Sequence, residues 1–171
     1  NELSTPDGGK HRSFKEDQLI GFREIVLEFM CKTIGSQDEL KTLLGKEKSK
    51  SFKNILVEPY YGVESLDFSG LVHLRRLKFG ENFNGEVKGL SGLTSLEELR
   101  FGKKFDKQPG DLSNLKRLKT LVFGIQFNQE VEGLSELVSL EELRFGMRFN
   151  KKPGDLSKLK RLKALVFGFY F

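Results

Sequence analysis

The sequence predicts a repeat solenoid, with short parallel strands stacked one per coil, irregular or 3-10 outer turns, and an α-helical N-terminal cap. Three observations carry this. Phe-Gly recurs at Phe79-Gly80, Phe101-Gly102, Phe123-Gly124, Phe145-Gly146 and Phe167-Gly168, so the step in numbering is 22 each time. Leucines keep that step in the pairs Leu74/Leu77, Leu96/Leu99, Leu118/Leu121, Leu140/Leu143 and Leu162/Leu165. Upstream of the repeats, apolar residues fall instead at the spacing of one helical face.

Taken in order, residues 1–14 (NELSTPDGGKHRSF) are polar around a Pro-Asp-Gly-Gly stretch and read as a flexible tail. The start at Asn1 rather than Met reads as a processed or trimmed end. Residues 15–50 form the predicted helical cap. Glu16 to Thr33 places Leu19, Phe22, Ile25, Val26, Phe29 and Met30 on one face, with Cys31 packed on the same helix. Ser36-Gln37-Asp38-Glu39 is a capping box that opens a second helix from Glu39 to about Lys48, with Leu40, Leu43 and Leu44 inward. These helices are expected to cover the first coil of the array.

Residues 51–171 form the predicted array. It opens on a degenerate copy in which Phe52, Ile55 and Val57 stand one repeat step before Leu74, Leu77 and Phe79. In LxxLxF the second Leu and the Phe are two apart, so both point to one side of a strand. Parallel stacking at about 4.8 Å per strand buries each against its own copy. A second ring follows at Phe83, Phe105, Phe127, Phe149 and Phe171, and each ring hides on the order of 150 Å². One coil has no core of its own; several share one. The column Asn84, Asp106, Asn128, Asn150 suits the pairing of backbone groups in the turn after the strand. The glycine after each strand Phe implies either a positive φ or close backbone approach. The return segments carry Gly-Leu-Ser or Asp-Leu-Ser with Ser91, Ser113, Ser135 and Ser157 in register; they are too short for a helix plus loops and suit 3-10 turns. The final LVFGFYF has no polar cap, so the array is expected either to be cut short or to be covered at that edge.

Composition narrows the function. The chain has 171 residues, a net charge of +5, 16 Phe, 18 Gly and no Trp. No apolar run is long enough for a transmembrane helix, which needs about 18 residues. One cysteine, Cys31, excludes an internal disulfide framework and a multi-thiolate metal site. His11 lies in the tail and His73 just before a strand. HExxH, paired CxxC and a phosphate loop are all missing from the sequence. Neither catalytic residues, nor a cofactor, nor a metal site is assigned, and the expectation is a protein that is not an enzyme.

Charge reveals a longer period, of two repeats. Residues 79–100, 101–122, 123–144 and 145–166 carry net charges of −2, +4, −4 and +6. One column reads Arg75, Glu97, Lys119, Glu141, Lys163. Each charge is expected between two opposite ones, worth about 0.2–1 kcal/mol per pair, with its larger effect on register. The residues expected to face away from the core give a candidate partner-binding row: Arg76 and Lys78, then Arg100 and Lys103, then Val122 and Ile125, then Arg144 and Met147, then Val166 and Phe169, and last Phe171. Apolar residues beside arginine suit a protein contact patch.

The LxxLxxLxF frame at this period resembles the leucine-rich repeat superfamily. The fuller string LKTLVFGIQFNQEVEG is similar to its FNIP-type subclass, over roughly Phe52 to Phe171. After Phe-Asn this chain carries Gly-Glu-Val, Gln-Glu-Val or Lys-Lys-Pro rather than Ile-Pro. The resemblance implies a leucine-rich-repeat-like solenoid used for protein binding, without shared catalytic residues. The expected function is thus an intracellular scaffold or a subunit of a larger assembly, cytoplasmic, or in an organelle had a transit peptide been removed. It would bind a protein partner through the inner face and the open C-terminal edge. Two alternatives stay open. A nucleic-acid-associated basic protein is suggested by the isoelectric point near 9.2 and by Lys116/Arg117/Lys119 and Lys158/Lys160/Arg161/Lys163. An F-box-like substrate receptor of a ubiquitin ligase is suggested by helices ahead of such repeats.

Overall fold

The computed structural model describes residues 31–34, 36, 38, 53–57 and 64–169. It is a parallel-strand β-solenoid. The strands are β1 (Cys31–Ile34), β2 (Asn54–Val57), β3 (Ser65–Asp67), β4 (Arg76–Phe79), β5 (Glu86–Lys88), β6 (Glu98–Arg100), β7 (Thr120–Val122), β8 (Glu142–Arg144) and β9 (Ala164–Val166). A seven-stranded sheet runs β1-β2-β4-β6-β7-β8-β9, parallel throughout. From β2 onward every strand residue pairs with its counterpart one repeat further on, so Leu77, Leu99, Leu121, Leu143 and Leu165 lie in one line.

The core follows from that register. Leu74, Leu96, Leu118 and Leu140 are buried together with Leu77, Leu99, Leu121 and Leu143. The strand phenylalanines Phe79, Phe101, Phe123, Phe145 and Phe167 form one pile, with centroids 5.1–5.6 Å apart and planes within 9° of parallel. Phe83, Phe105, Phe127 and Phe149 form a second pile at 6.1–6.2 Å. The piles touch within each coil at 3.9–4.8 Å. Offset parallel rings avoid the unfavourable face-to-face sandwich. No polar side chain is buried among the described residues, so the interior needs no internal hydrogen-bond network.

Backbone groups in the turns are satisfied from coil to coil. The Asp106 amide donates to Asn84 Oδ1 at 2.9 Å, the Asn128 amide to Asp106 Oδ1 at 2.9 Å, and the Asn150 amide to Asn128 Oδ1 at 3.0 Å. The expected turn column is therefore a ladder between coils. The glycine column resolves to close approach. Glycines 102, 124, 146 and 168 have φ outside the left-handed region, and a Cβ at Gly124 would fall on the carbonyl oxygen of Gly102.

The return turns are 3-10 at Leu90–Gly92 and Leu134–Glu136, as the short spacing suggests. A second, two-stranded sheet, β3 with β5, goes beyond the sequence expectation. Its register is one position shorter than the repeat, and it stops after β5, where the next coils carry Pro109 and later Pro153. Proline lacks the donor that a further strand would need.

The N-terminal expectation needs a correction. Residues 31–33, assigned from the sequence to the end of a helix that includes Cys31, form a strand that pairs with β2. The helical apolar pattern already ends at Met30, and Thr33 and Ile34 are β-branched residues suited to a strand. The remainder of that predicted helix and the tail lie outside the described residues. Of the capping box and second helix, Asp38 is described as helical and Ser36 as a bend; the rest lies outside.

Candidate functional site

The outward strand positions and the turn after them build one continuous surface. Alternation places Arg76 and Lys78 on the face of β4 opposite buried Leu77 and Phe79. Register then sets Arg100, Val122, Arg144 and Val166 in line after Lys78. The glycine column leaves the centre of this face without side chains. A trough of about 510 Å³ results, floored by those glycines and the edges of the strand phenylalanines. Lys78, Arg100, Lys103, Val122, Ile125, Met147, Val166 and Phe169 all line it. Arg76 and Arg144 stand on the same face outside the lining, paired with Glu98 (3.6 Å) and Glu142 respectively. Phe171 lies outside the described residues.

The trough is polarised along the stack. Toward β4 it is ionic: Lys103 pairs with Glu81 at 2.7 Å, and Arg100 contacts Glu98 and reaches Glu142 at 3.7 Å. Lys78 has no carboxylate at ion-pair distance among the described residues, and its sheet neighbour is Arg100. Toward β9 the trough is apolar, with Ile125, Met147 and Val166 each two-fifths exposed or more and Phe169 90% exposed. Like cations side by side favour an anionic group over them, whereas the other half favours an apolar one.

The charge ladder stands just ahead of the strands, in the column from Arg75 to Lys163, and in the return segments before them. Glu97 lies 3.6 Å from Arg75 and 3.5 Å from Lys119, and Lys163 lies 2.6 Å from Glu141. Glu136 bridges Lys116 (3.3 Å) and Lys158 (2.9 Å). Hydrogen bonds from Lys158 and then Lys116 hold the Glu136 carboxyl below its ordinary range, and Lys163 does the same for Glu141.

Sequence reasoning missed a second alternation. The column Asp67, Gly89, Asp111, Gly133, Asp155 keeps the same repeat step. Each aspartate Oδ1 accepts the amide of the serine two residues on, at 2.8–2.9 Å, closing a tight turn. Each glycine lies against the turn of the coil before it, in the left-handed region at φ 76° and 79° for Gly89 and Gly133. A Cβ at Gly133 would strike the Ser113 amide and Asp111 Oδ1. Reading the column itself would have found this signal.

β9 is the last of the described strands. Leu165 is 43% exposed, whereas Leu143, its neighbour in the line, is fully buried. Among the described residues β9 pairs with β8 alone. Among the described residues there is no cluster of three or more metal-ligating side chains and no helix long and apolar enough to cross a membrane. Comparison with known proteins finds no matching family, no significantly similar curated protein and no significantly similar solved structure.

Proposed function

We propose that this chain is a non-catalytic binding scaffold of the leucine-rich-repeat kind, FNIP-like in its Phe-Asn frame, that holds a protein partner in the trough. The carrying observation is the row Val122, Ile125, Met147, Val166 and Phe169, set in a glycine-floored trough beside Lys78 and Arg100. A protein surface with an apolar anchor and an acidic flank suits that polarity. The nucleic-acid alternative is weaker, because Lys116, Lys119, Lys158 and Lys163 are each paired with a glutamate of a neighbouring coil. Phosphate would have to displace those pairs.

The test is lysine-directed crosslinking with mass-spectrometric identification of partners in the native source. Crosslinks should cluster at Lys78 and Lys103. The variant Ile125→Asp with Met147→Asp, both at exposed sites, should lose the same partner at least tenfold while melting within a few degrees of the parent. Unchanged binding by that variant, or recovery of nucleic acid alone, would sink the reading.

A further inference from the structure

We propose that Ser139 is a phosphorylation site for an acidophilic protein kinase, and that its phosphate seats between Arg117 and Arg161 on the coils to either side. Ser139 is not among the residues that line the trough, so this site stands apart from the binding proposed there.

The stacking column supplies the first observation. One repeat step joins His73, Ser95, Arg117, Ser139 and Arg161. Register in this part of the coil is held from rung to rung. The Lys119 amide donates to the Glu97 carbonyl, the Glu141 amide to the Lys119 carbonyl and the Lys163 amide to the Glu141 carbonyl, each at 2.8 Å. Two residues before those amides, Ser139 has Arg117 on the preceding coil and Arg161 on the following one, at about 4.8 Å per coil. Both arginines are exposed, and Ser139 is half-buried in the turn ahead of β8.

Charge makes this column an exception. Elsewhere a glutamate of an acidic coil stands between cations of both neighbouring coils: Glu97 between Arg75 and Lys119, and Glu136 between Lys116 and Lys158. Here the acidic coils carry serine. Arg117 forms no ion pair among the described residues, although the coils on both sides of it are in place, and Arg161 forms none with the coil before it. Residues 101–122, 123–144 and 145–166 carry +4, −4 and +6, together +6, so a phosphate ester, with about two negative charges, falls in a field of opposite sign. Arginine forks match phosphate oxygens in paired hydrogen bonds. The nearby carboxylates Glu136 and Glu141 are already held by Lys158 and Lys116 and by Lys163, which blunts their repulsion.

The second observation is the sequence that a kinase reads. Ser139-Leu140-Glu141-Glu142 sets carboxylates two and three residues after the hydroxyl, and Ser95-Leu96-Glu97-Glu98 repeats the pattern. A kinase with a basic substrate groove selects it by charge. The same spacing also makes a helix capping box, but Glu142–Arg144 is a strand, and the Ser139 hydroxyl forms no hydrogen bond among the described residues. In the reaction the Ser139 oxygen attacks the terminal phosphorus of a nucleoside triphosphate held by the kinase. The new O–P bond forms as the bond to the leaving diphosphate breaks, and the hydroxyl proton passes to a base of the kinase. The ester then ties three successive coils together. At Ser95 the same ester would meet His73 and Arg117, one arginine fork instead of two.

The experiment uses the full chain. The folded chain is first incubated with a recombinant acidophilic serine/threonine kinase and ATP, and phosphate is located by tandem mass spectrometry. Ser139 is expected to carry it in most chains, and Ser139→Ala to remove that signal. Phosphoserine is then encoded in place of Ser139 and melting is followed at low salt. The melting temperature should rise by about 2–4 °C. The rise should vanish in the variant Arg117→Gln with Arg161→Gln, whose exposed positions should leave the unmodified chain little changed. Phosphoserine in place of Ser95 should give less than half the rise. Absence of phosphate at Ser139, or its presence only after unfolding in urea, overturns the proposal, as does an unchanged or lowered melting temperature. A rise that persists without the two arginines overturns the assigned seat. Partner capture by the trough is read separately, through Ile125→Asp with Met147→Asp.

Discussion

At the scale of single residues, the glycines and aspartates carry the most specific consequences. Gly124 packs against the Gly102 carbonyl, and backbone cannot move aside as the tip of a side chain can. Gly124→Ala is expected to cost about 2–4 kcal/mol in urea unfolding. Gly110 has open space around it and a φ of 78°. Gly110→Ala should therefore cost only the left-handed penalty, about 1–2 kcal/mol; equal losses at the two sites would contradict the packing assigned to the column. The Asp turns set an acid response. Ser69 lowers the Asp67 pKa through its side-chain and then its backbone hydrogen bond. The backbone amides of Ser113 and Ser157, followed by their side chains, lower those of Asp111 and Asp155. A depressed carboxylate stabilises the fold fully above its unfolded value, near 3.8 for aspartate, and that contribution is lost as pH falls through the folded value. Melting temperature should thus decline below about pH 4. The triple change Asp67→Asn, Asp111→Asn, Asp155→Asn keeps the accepting oxygen but cannot titrate, so its acid decline should be shallower. Parallel declines would remove these turns from the pH response.

At the scale of elements, the strands differ by position rather than by sequence. β7 and β9 carry the same Leu-Val pair, yet Leu121 is fully buried and Leu165 is 43% exposed. Leu121→Ala is expected to cost about 2–5 kcal/mol, and Leu165→Ala less than half of that, by denaturant titration. Phe105, in contact with four other rings, should lose about 3–5 kcal/mol on replacement by alanine. Much of this level was legible in the sequence. The strand positions, the paired rings and the charge column are all written at one spacing, because each side chain packs on its own copy in the next coil. β3 and β5 were hidden, because their pairing falls one position short of that spacing and ends at a proline. β1 was hidden as well, since its sequence sits just beyond a helical pattern and carries no repeat signature. The outward row of the site could be read from strand alternation, whereas the trough could not. Its depth depends on how closely neighbouring glycine backbones approach, which spacing alone leaves open between two conformations.

At the scale of the whole molecule, described strands meet only their sequential neighbours in the main sheet, so stability is a sum over coils and the junctions between them. Among the described residues the β9 coil has one junction where inner coils have two. Its amides should exchange with solvent fastest among the repeats and those of β6 and β7 slowest, measured by native-state hydrogen exchange. Uniform exchange across β6 to β9 would mean that the array opens as one unit.

The alternating Asp67, Gly89, Asp111, Gly133, Asp155 column imposes a rule of parity on the array. Removing residues 101–122 would bring Gly89 beside Gly133 and Glu97 beside Glu141, whereas removing residues 101–144 would bring Gly89 beside Asp155 and Glu97 beside Lys163. The shorter product should then melt higher than the longer one, the reverse of what length alone dictates. Coils can be added or removed without mismatched junctions only in even numbers, so the structural unit of the array is the pair.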